Sequence, residues 1–219
     1  MTHNLTQRYG AGALFAAILS FSDPASAQVV VNGSFEQGMD PGDSVLINAG
    51  DSTSINGWAC TGGTVDYIGT HWVAAAGSRS IDLSGHSAGT LSQIISGFQL
   101  GATYRLSFDL AGNPEGPPAI KNMQVNIGSA SHNFSFDTTG HSDANMGWTL
   151  ATMDFLATAP TLTLSFTSLD NTVYGPAIDA VSLAFIVPEP ASLSLLALGA
   201  AGWAARKVIR KGRGDSLKR

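Results

Sequence analysis

Alternation of apolar and polar residues with a period of two is the feature that most restricts the fold of this chain. Residues 104–110 place Tyr, Leu, Phe and Leu on one face and Arg, Ser and Asp on the other, and residues 161–167 and 181–185 repeat the pattern. Period two with aromatic and β-branched residues is typical of half-buried strands. No long segment of the central region has the 3.6-residue period of an amphipathic helix. The pattern therefore predicts an all-β domain.

Further short strands are predicted between turn clusters such as Asn56-Gly57 and Gly62-Gly63. The candidates are Val29–Phe35, Ile55–Cys60, Thr64–Ile68, Ser80–Leu83, Thr90–Ile95, Asn122–Ile127, Asn133–Phe136 and Trp148–Ala157. Many short, evenly spaced strands favour an antiparallel β-sandwich, most simply a jelly roll. No internal repeat or linker divides residues 28–186, so we predict one domain there.

The first 27 residues are predicted to be a secretory signal peptide. Arg8 supplies a positive charge, Ala11–Phe21 is apolar, and Ala25-Ser26-Ala27 has the small-residue pattern of a cleavage site. Cleavage after Ala27 would leave Gln28 as the first residue of the mature protein. The domain is therefore expected to work outside the cytoplasm.

The other end of the chain, residues 187–219, is predicted to be a membrane-directed sorting signal. Val187-Pro188-Glu189-Pro190 precedes an uncharged apolar run, Ala191–Ala205, and seven Lys or Arg residues follow it. A membrane-spanning helix needs about 20 apolar residues, so this run is a marginal anchor unless its flanks contribute. The basic tail would stay in the cytoplasm. The alternative is a terminal helix packed on the domain, but the run has no polar face.

This combination of Pro-Glu-Pro, apolar helix and basic tail resembles the PEP-CTERM signal of Gram-negative bacteria. The resemblance implies an exosortase-type transpeptidase as a partner and transient anchoring in the inner membrane. It also implies a final location at the cell surface or in the extracellular matrix. Proteins with this signal tend to be associated with exopolysaccharide and biofilm production.

The charge of the domain restricts its partners. Residues 28–187 contain three Lys or Arg and 13 Asp or Glu, a formal difference of −10. Nucleic acid is excluded because its binding depends on Lys and Arg that neutralise phosphates, whereas divalent cations are compatible with carboxylates. Cys60 is the only cysteine, so no internal disulfide can form. Cys60 is expected to be a buried thiol, with dimerisation as the alternative.

Several segments resemble galactose-binding-like jelly rolls, including many carbohydrate-binding modules. They are the opening 31–36, Gly57-Trp58 and the ending 178–183. Four more segments resemble the choice-of-anchor C family, a bacterial family related to plant cell-wall domains without an assigned activity. They are residues 65–69, 80–85, 108–114 and 174–176. The resemblance implies the jelly-roll fold and leaves the activity open.

In related jelly rolls, a Glu after the first strand and an Asp of the last strand often hold a structural calcium ion. By that resemblance Glu36 and Asp179 are candidate ligands, with Asp82 as a weaker third. Two buried carboxylates repel each other without a cation, and calcium takes six to eight oxygen ligands. The alternative is that Glu36 caps a turn and Asp179 accepts backbone hydrogen bonds.

Aromatic residues could provide a platform for sugar rings, since their faces offer contact area at low entropic cost. Trp58 is expected in the core. Trp72, in a predicted loop, is the best stacking candidate, together with Tyr67 and Tyr174.

Residues 85–89, Gly-His-Ser-Ala-Gly, match the motif G-x-S-x-G, which occurs at the nucleophile of α/β-hydrolases. A nucleophile elbow requires a helix after the motif, and no convincing helix is predicted there. We therefore expect a turn between strands.

We predict a non-catalytic, exported surface protein that binds polysaccharide. The alternatives are a structural surface protein without a specific glycan and a glycan-active hydrolase. A surface slot with paired carboxylates would favour the hydrolase.

Overall fold

A computed structural model describes residues 30–187, which form a sandwich of two antiparallel sheets and contain no helix. The predicted antiparallel β-sandwich is thus confirmed. No helix that could cross a membrane is found in this part of the chain. The signal peptide, its cleavage site at Ala27 and Gln28, and the segment from Pro188 through Glu189 and Pro190 onwards lie outside the described residues.

Eleven strands make up the two sheets. They are β1 (Ser44–Asn48), β2 (Ala59–Gly62), β3 (Thr64–Ile68), β4 (Ser80–Asp82), β5 (Thr90–Ser96), β6 (Thr103–Gly112), β7 (Ile120–Ile127), β8 (Ala130–Asp137), β9 (Thr149–Leu156), β10 (Thr161–Ser168) and β11 (Pro176–Phe185). The six-stranded sheet has the order β1-β3-β4-β11-β6-β9 and the five-stranded sheet has the order β2-β5-β10-β7-β8.

The core between the sheets is built from the apolar halves of the alternating strands. Trp58 is only 2% exposed, as expected, and its ring lies 5.3 Å from that of Phe35 and 6.1 Å from that of Phe166. Phe108 of β6 packs edge-on against Phe166 of β10 at 5.2 Å, which joins the two sheets. Cys60 is also buried in this core, and burial raises the pKa of its thiol.

The prediction of a first strand at Val29–Phe35 was wrong over its described residues. Asn32 and Phe35 have positive φ angles of 53° and 59°, and residues 31–34 form a turn. The side chain of Gln93 replaces a strand partner here, because it accepts a hydrogen bond from Val31 N and donates one to Val31 O, both at 2.8 Å. Strand β1 lies further along, at Ser44–Asn48, a segment for which no strand was predicted.

The last strand, β11, lies inside the six-stranded sheet, between β4 and β6. Its register against β6 shifts between Asp179 and Ser182, and Ala180 has a positive φ of 49°. This bulge lets Val181 N donate to Gly33 O at 2.8 Å, so the opening segment of the domain packs directly against β11. Glu36 and Asp179 are thereby brought to the same region of the sandwich.

Candidate functional site: an acidic pocket on the six-stranded sheet

The four segments that carry the choice-of-anchor C resemblance meet in one pocket of about 300 Å³ on the outward face of the six-stranded sheet. Asp66 and Asp82 lie directly opposite each other on β3 and β4. Ser44 of β1 and Ile68 of β3 also line the pocket, and loops between strands supply the rest of the wall. The lining residues are Ser44, Asp66, Ile68, His71, Trp72, Asp82, Gly85, His86, Asn113, Glu115, Val173 and Tyr174.

Asp82 forms the floor of this pocket and is wholly buried. One carboxylate oxygen accepts hydrogen bonds from Ser84 N at 2.9 Å and Gly175 N at 3.1 Å, and the other accepts one from Asn113 Nδ2 at 2.9 Å. Burial raises the pKa of Asp82 to about 7, although these hydrogen bonds oppose the shift. Asp82 therefore connects three loops, and because its side chain is wholly buried it presents no oxygen to a ligand.

Asp66 is the carboxylate that a ligand can reach. It is half-buried, and no group in residues 30–187 donates a hydrogen bond to its side chain. Burial raises the pKa of Asp66, while the nearby His86 and His71 lower it. A half-buried carboxylate without a donor is costly, so a ligand that donates hydroxyl hydrogen bonds would find a ready acceptor here.

His71 joins two loops at the mouth of the pocket. Its Nδ1 lies 3.0 Å from Asp43 Oδ2 and its Nε2 lies 3.3 Å from Glu115 Oε2. Burial lowers the pKa of His71, but the two carboxylates outweigh it and the net pKa is raised. Both contacts can be hydrogen bonds only when the imidazole carries two protons.

Tyr174, a predicted stacking residue, is half-buried and lines the pocket, and Lys121 holds its loop in place. The buried ammonium of Lys121 donates to Tyr174 O at 2.9 Å and to Gly116 O at 2.7 Å. Its Nζ also lies 5.8 Å from the centre of the Tyr174 ring. The desolvation of Lys121 lowers the pKa of its ammonium.

Two predicted stacking residues need correction. Tyr67 is 0% exposed, and its hydroxyl donates to Phe35 O and accepts from Arg79 Nη1, so its ring belongs to the core. Trp72 reaches the pocket, but it is only 4% exposed and its Nε1 donates to Ser80 Oγ at 2.8 Å. Neither ring offers an open face to a sugar.

Glu36 and Asp179 both contact another loop, residues 75–79, and both accept the hydrogen bonds that the alternative to calcium binding predicts. Glu36 accepts hydrogen bonds from Ser78 N, Ser78 Oγ and Arg79 N, at 2.8–2.9 Å. Asp179 accepts from Ala76 N at 2.9 Å and Ala180 N at 2.6 Å. Burial raises the pKa of Asp179 to about 7. Asp82, the third predicted calcium ligand, is instead held by the partners of the pocket floor.

The Gly-His-Ser-Ala-Gly motif is a turn between two strands, as expected. Ser84 bridges to Ala88 across it, and His86 N and Ser87 N both donate to Thr64 Oγ1. Strand β5 follows directly, so the strand–turn–helix arrangement of a nucleophile elbow is absent from this segment.

Two solved structures of carbohydrate-binding modules have a fold similar to that of this domain. The TmCBM61 module in complex with β-1,4-galactotriose has a TM-score of 0.46 and 10% sequence identity, over 74% of this chain and 100% of that chain. The CBM22-1 xylan-binding domain from Paenibacillus barcinonensis Xyn10C has a TM-score of 0.47 and 14% identity, over 76% of this chain and 99% of that chain. These similarities concern the fold.

Residues 28–184 match the family described as "Protein of unknown function (DUF642)", and the chain belongs to this family. Residues 187–211 match the PEP-CTERM protein-sorting motif, which confirms the predicted sorting signal and marks an exported, surface-sorted protein. Halomucin of Haloquadratum walsbyi (strain DSM 16790 / HBSQ001) is 33% identical over 175 residues, which are 75% of this chain and 2% of halomucin.

Proposed function

We propose that this protein is a non-catalytic surface protein that binds an uncharged polysaccharide through the acidic pocket. The observation that carries the proposal is the convergence of four separate loop and strand segments on Asp66, a half-buried carboxylate with no donor from the described residues. Processing by an exosortase of a Gram-negative bacterium would deliver the domain to the cell surface or the extracellular matrix.

The pocket offers complementary groups to a sugar. Asp66 and Glu115 can accept hydrogen bonds from hydroxyl groups, His86 can donate or accept one, and the ring of Tyr174 supplies apolar contact. The carboxylates would repel uronic acids or sulfated sugars. An uncharged sugar therefore fits the pocket better than an acidic one.

The paired carboxylates do not favour a glycosidase. Glycoside hydrolysis needs two carboxyl groups that flank the scissile bond and touch the substrate. Asp66 is accessible, but Asp82 is wholly buried and both of its oxygens accept hydrogen bonds from the protein. The geometry therefore supports binding over hydrolysis.

Replacement of the accessible carboxylate tests the proposal. We expect Asp66→Asn to weaken binding of neutral polysaccharide by about tenfold, because a hydrogen bond to a charged acceptor contributes about 1.5–3 kcal/mol. Affinity electrophoresis of the full-length chain in detergent, through gels with galactan, xylan, β-glucan or polygalacturonate, measures the change.

Asp154→Asn is the matched control, because it removes the same charge from an exposed surface pair on β9, where ion pairs contribute little. This variant should bind like the wild type. If no polysaccharide retards the wild type, the glycan proposal is refuted and a purely structural surface role replaces it.

We further infer that Glu36 and Asp179 hold a structural calcium ion. Within residues 30–187 neither carboxylate forms a salt bridge. Burial raises the pKa of Asp179 because the charged carboxylate is poorly solvated, and a bound cation would lower the free-energy cost of that buried charge. Glu36 Oε2, Asp179 Oδ1 and Asp179 Oδ2 each accept only one hydrogen bond from the described residues, so each retains a lone pair for the ion, and backbone carbonyls and water would complete the ligands. When bound, the ion would link the opening segment to β11.

We expect calcium to raise the melting temperature of the wild-type chain by several degrees relative to chelator. A ligand at a hundred times its Kd adds about 2.7 kcal/mol, and for a protein of this size each kcal/mol corresponds to about 2–4 °C. Calorimetry of Asp179→Asn should show no calcium-dependent rise. A wild type that melts at the same temperature in calcium and in chelator would exclude the site.

A further inference from the structure

The outward surface of the five-stranded sheet is an uncharged layer of hydroxyl groups. On β5 and β10, seven of the eight outward positions are Ser or Thr, and the eighth is Ile94. With Thr61 of β2 we call these residues the hydroxyl face. The outward residues of the next strand, β7, continue it with Asn122, Gln124 and Asn126. No Asp, Glu, Lys, Arg or His occurs among the outward residues of these four strands.

Hydrogen bonds between neighbouring strands hold most of these hydroxyl groups in fixed positions. Thr61 and Ser92 are 2.9 Å apart, Ser96 and Thr161 are 3.0 Å apart, and Thr90 and Thr167 are 3.1 Å apart, each measured between side-chain oxygens. These six side chains, which surround the centre of the face, are therefore ordered before a ligand arrives. Binding to such a surface costs less side-chain entropy.

The centre of the hydroxyl face retains unused hydrogen-bonding capacity. In the described part of the chain the hydroxyl groups of Thr163 and Ser165 have no side-chain partner. Both line an open cavity of about 700 Å³ that runs over β2, β5 and β10. Ile94, which is 73% exposed, lines the same cavity and offers an apolar contact beside them.

The charge pattern restricts what can occupy this cavity. The rest of the domain is strongly acidic, but this surface carries no charge, so neither a nucleic acid nor an anionic membrane has a cationic partner here. Protein interfaces concentrate aromatic and Arg anchors, and Ile94 is the only large apolar side chain on the outward positions of β5 and β10. An uncharged polysaccharide carries many hydroxyl groups, which can form hydrogen bonds with the unpartnered hydroxyl groups at the centre of the hydroxyl face.

We propose that the hydroxyl face is a second binding site, distinct from the acidic pocket, which binds an extended segment of uncharged polysaccharide. The two sites lie on the outward faces of different sheets. One molecule could therefore contact two polysaccharide chains and link them. This inference does not depend on the acidic pocket, because different strands and different chemistry carry it.

The test removes the two unpartnered hydroxyl groups and leaves the strand intact. Thr163→Val together with Ser165→Ala keeps the size and strand preference of both side chains. The matched control is Ser107→Ala together with Thr152→Val, a cross-strand pair of outward hydroxyl residues on the six-stranded sheet. The full-length variants are compared by affinity electrophoresis with galactan, xylan, β-glucan and polygalacturonate. Sedimentation velocity of the wild type at rising concentration measures self-association.

We expect the hydroxyl-face variant to bind the preferred neutral polysaccharide about tenfold more weakly and the control to bind like the wild type. Binding lost in Asp66→Asn but unchanged in the hydroxyl-face variant would overturn this inference and leave the pocket proposal standing. Binding lost only in the hydroxyl-face variant would support this inference and refute the proposal that the acidic pocket binds polysaccharide. If wild-type dimers form at the hydroxyl face and the hydroxyl-face variant abolishes them, the occupant is a second copy and the proposal fails.

Discussion

The free energy of unfolding, measured with urea in the presence of chelator, should increase by several kcal/mol when the pH is lowered from 8 to 5. Two buried carboxyl groups cause the increase, since burial raises the pKa of both Asp82 and Asp179 from 3.8 to about 7. Between pH 7 and 3.8 the folded state binds more protons than the unfolded state, so stability rises as the pH falls. Each group contributes about 3 kcal/mol at pH 5 as an upper bound.

Other titrating groups either add to this trend or act outside the pH range. His71 has a net raised pKa, which also favours the folded state at lower pH. Hydrogen bonds lower the pKa values of Asp51, Asp137 and Asp154 below 3.8, so their stabilising effect is lost only at more acidic pH.

Asp82→Asn is the control for this prediction, because an amide does not titrate. About half of the pH-dependent increase should disappear in this variant, and saturating calcium should remove the part that belongs to Asp179. A wild type whose stability is constant or decreases as the pH falls from 8 to 6 would contradict the conclusion that burial raises the pKa of these two carboxyl groups.

Gly175→Ala is expected to destabilise the domain by about 2–3 kcal/mol and to abolish binding at the acidic pocket. A Cβ atom at Gly175 would lie 2.4 Å from Ser84 Oγ and 2.5 Å from Asp82 Oδ1. Neither group can move easily, since both are wholly buried and hydrogen-bonded. Overpacking of this kind costs about 1–3 kcal/mol, and here it also disturbs the pocket floor.

Gly62→Ala is a suitable comparison, since its Cβ would meet only Thr90 Oγ1 at 3.3 Å and Thr90 Cβ at 3.5 Å. It should cost much less stability and leave binding at the pocket unchanged. Thermal melting gives the stability of both variants, and affinity electrophoresis gives their binding. Normal binding by a folded Gly175→Ala variant would mean that the Asp82 floor is irrelevant to the ligand.

The fold was predictable because strand alternation is a local property. Residues 104–110 and 161–167 show their apolar and polar faces directly in the sequence, and they lie in strands β6 and β10. The first strand was misplaced for a non-local reason. The Val-rich segment before Asn32 is apolar enough for a strand, but the side chain of Gln93, 62 residues away, occupies its hydrogen-bonding groups.

The sequence identified the segments that form the acidic pocket, through their family resemblance, but not the roles of the residues in them. Asp66 and Asn113 lay in the segments that carried the family resemblance, yet their roles depend on the pairing of β3 with β4 and on the loop contacts of Asp82. The burial of Tyr67 and Trp72 was not predictable from the sequence either. Their rings are covered because Phe35 O and Ser80 Oγ take their polar groups inside the domain.

The most direct test of the central claim is a crystal structure of the protein with an oligosaccharide of the neutral polysaccharide that retards it in affinity electrophoresis. The account predicts a sugar ring in the acidic pocket, with a hydroxyl group within hydrogen-bond distance of Asp66 and a face against Tyr174. An oligosaccharide bound to the protein while this pocket stays empty would contradict the claim.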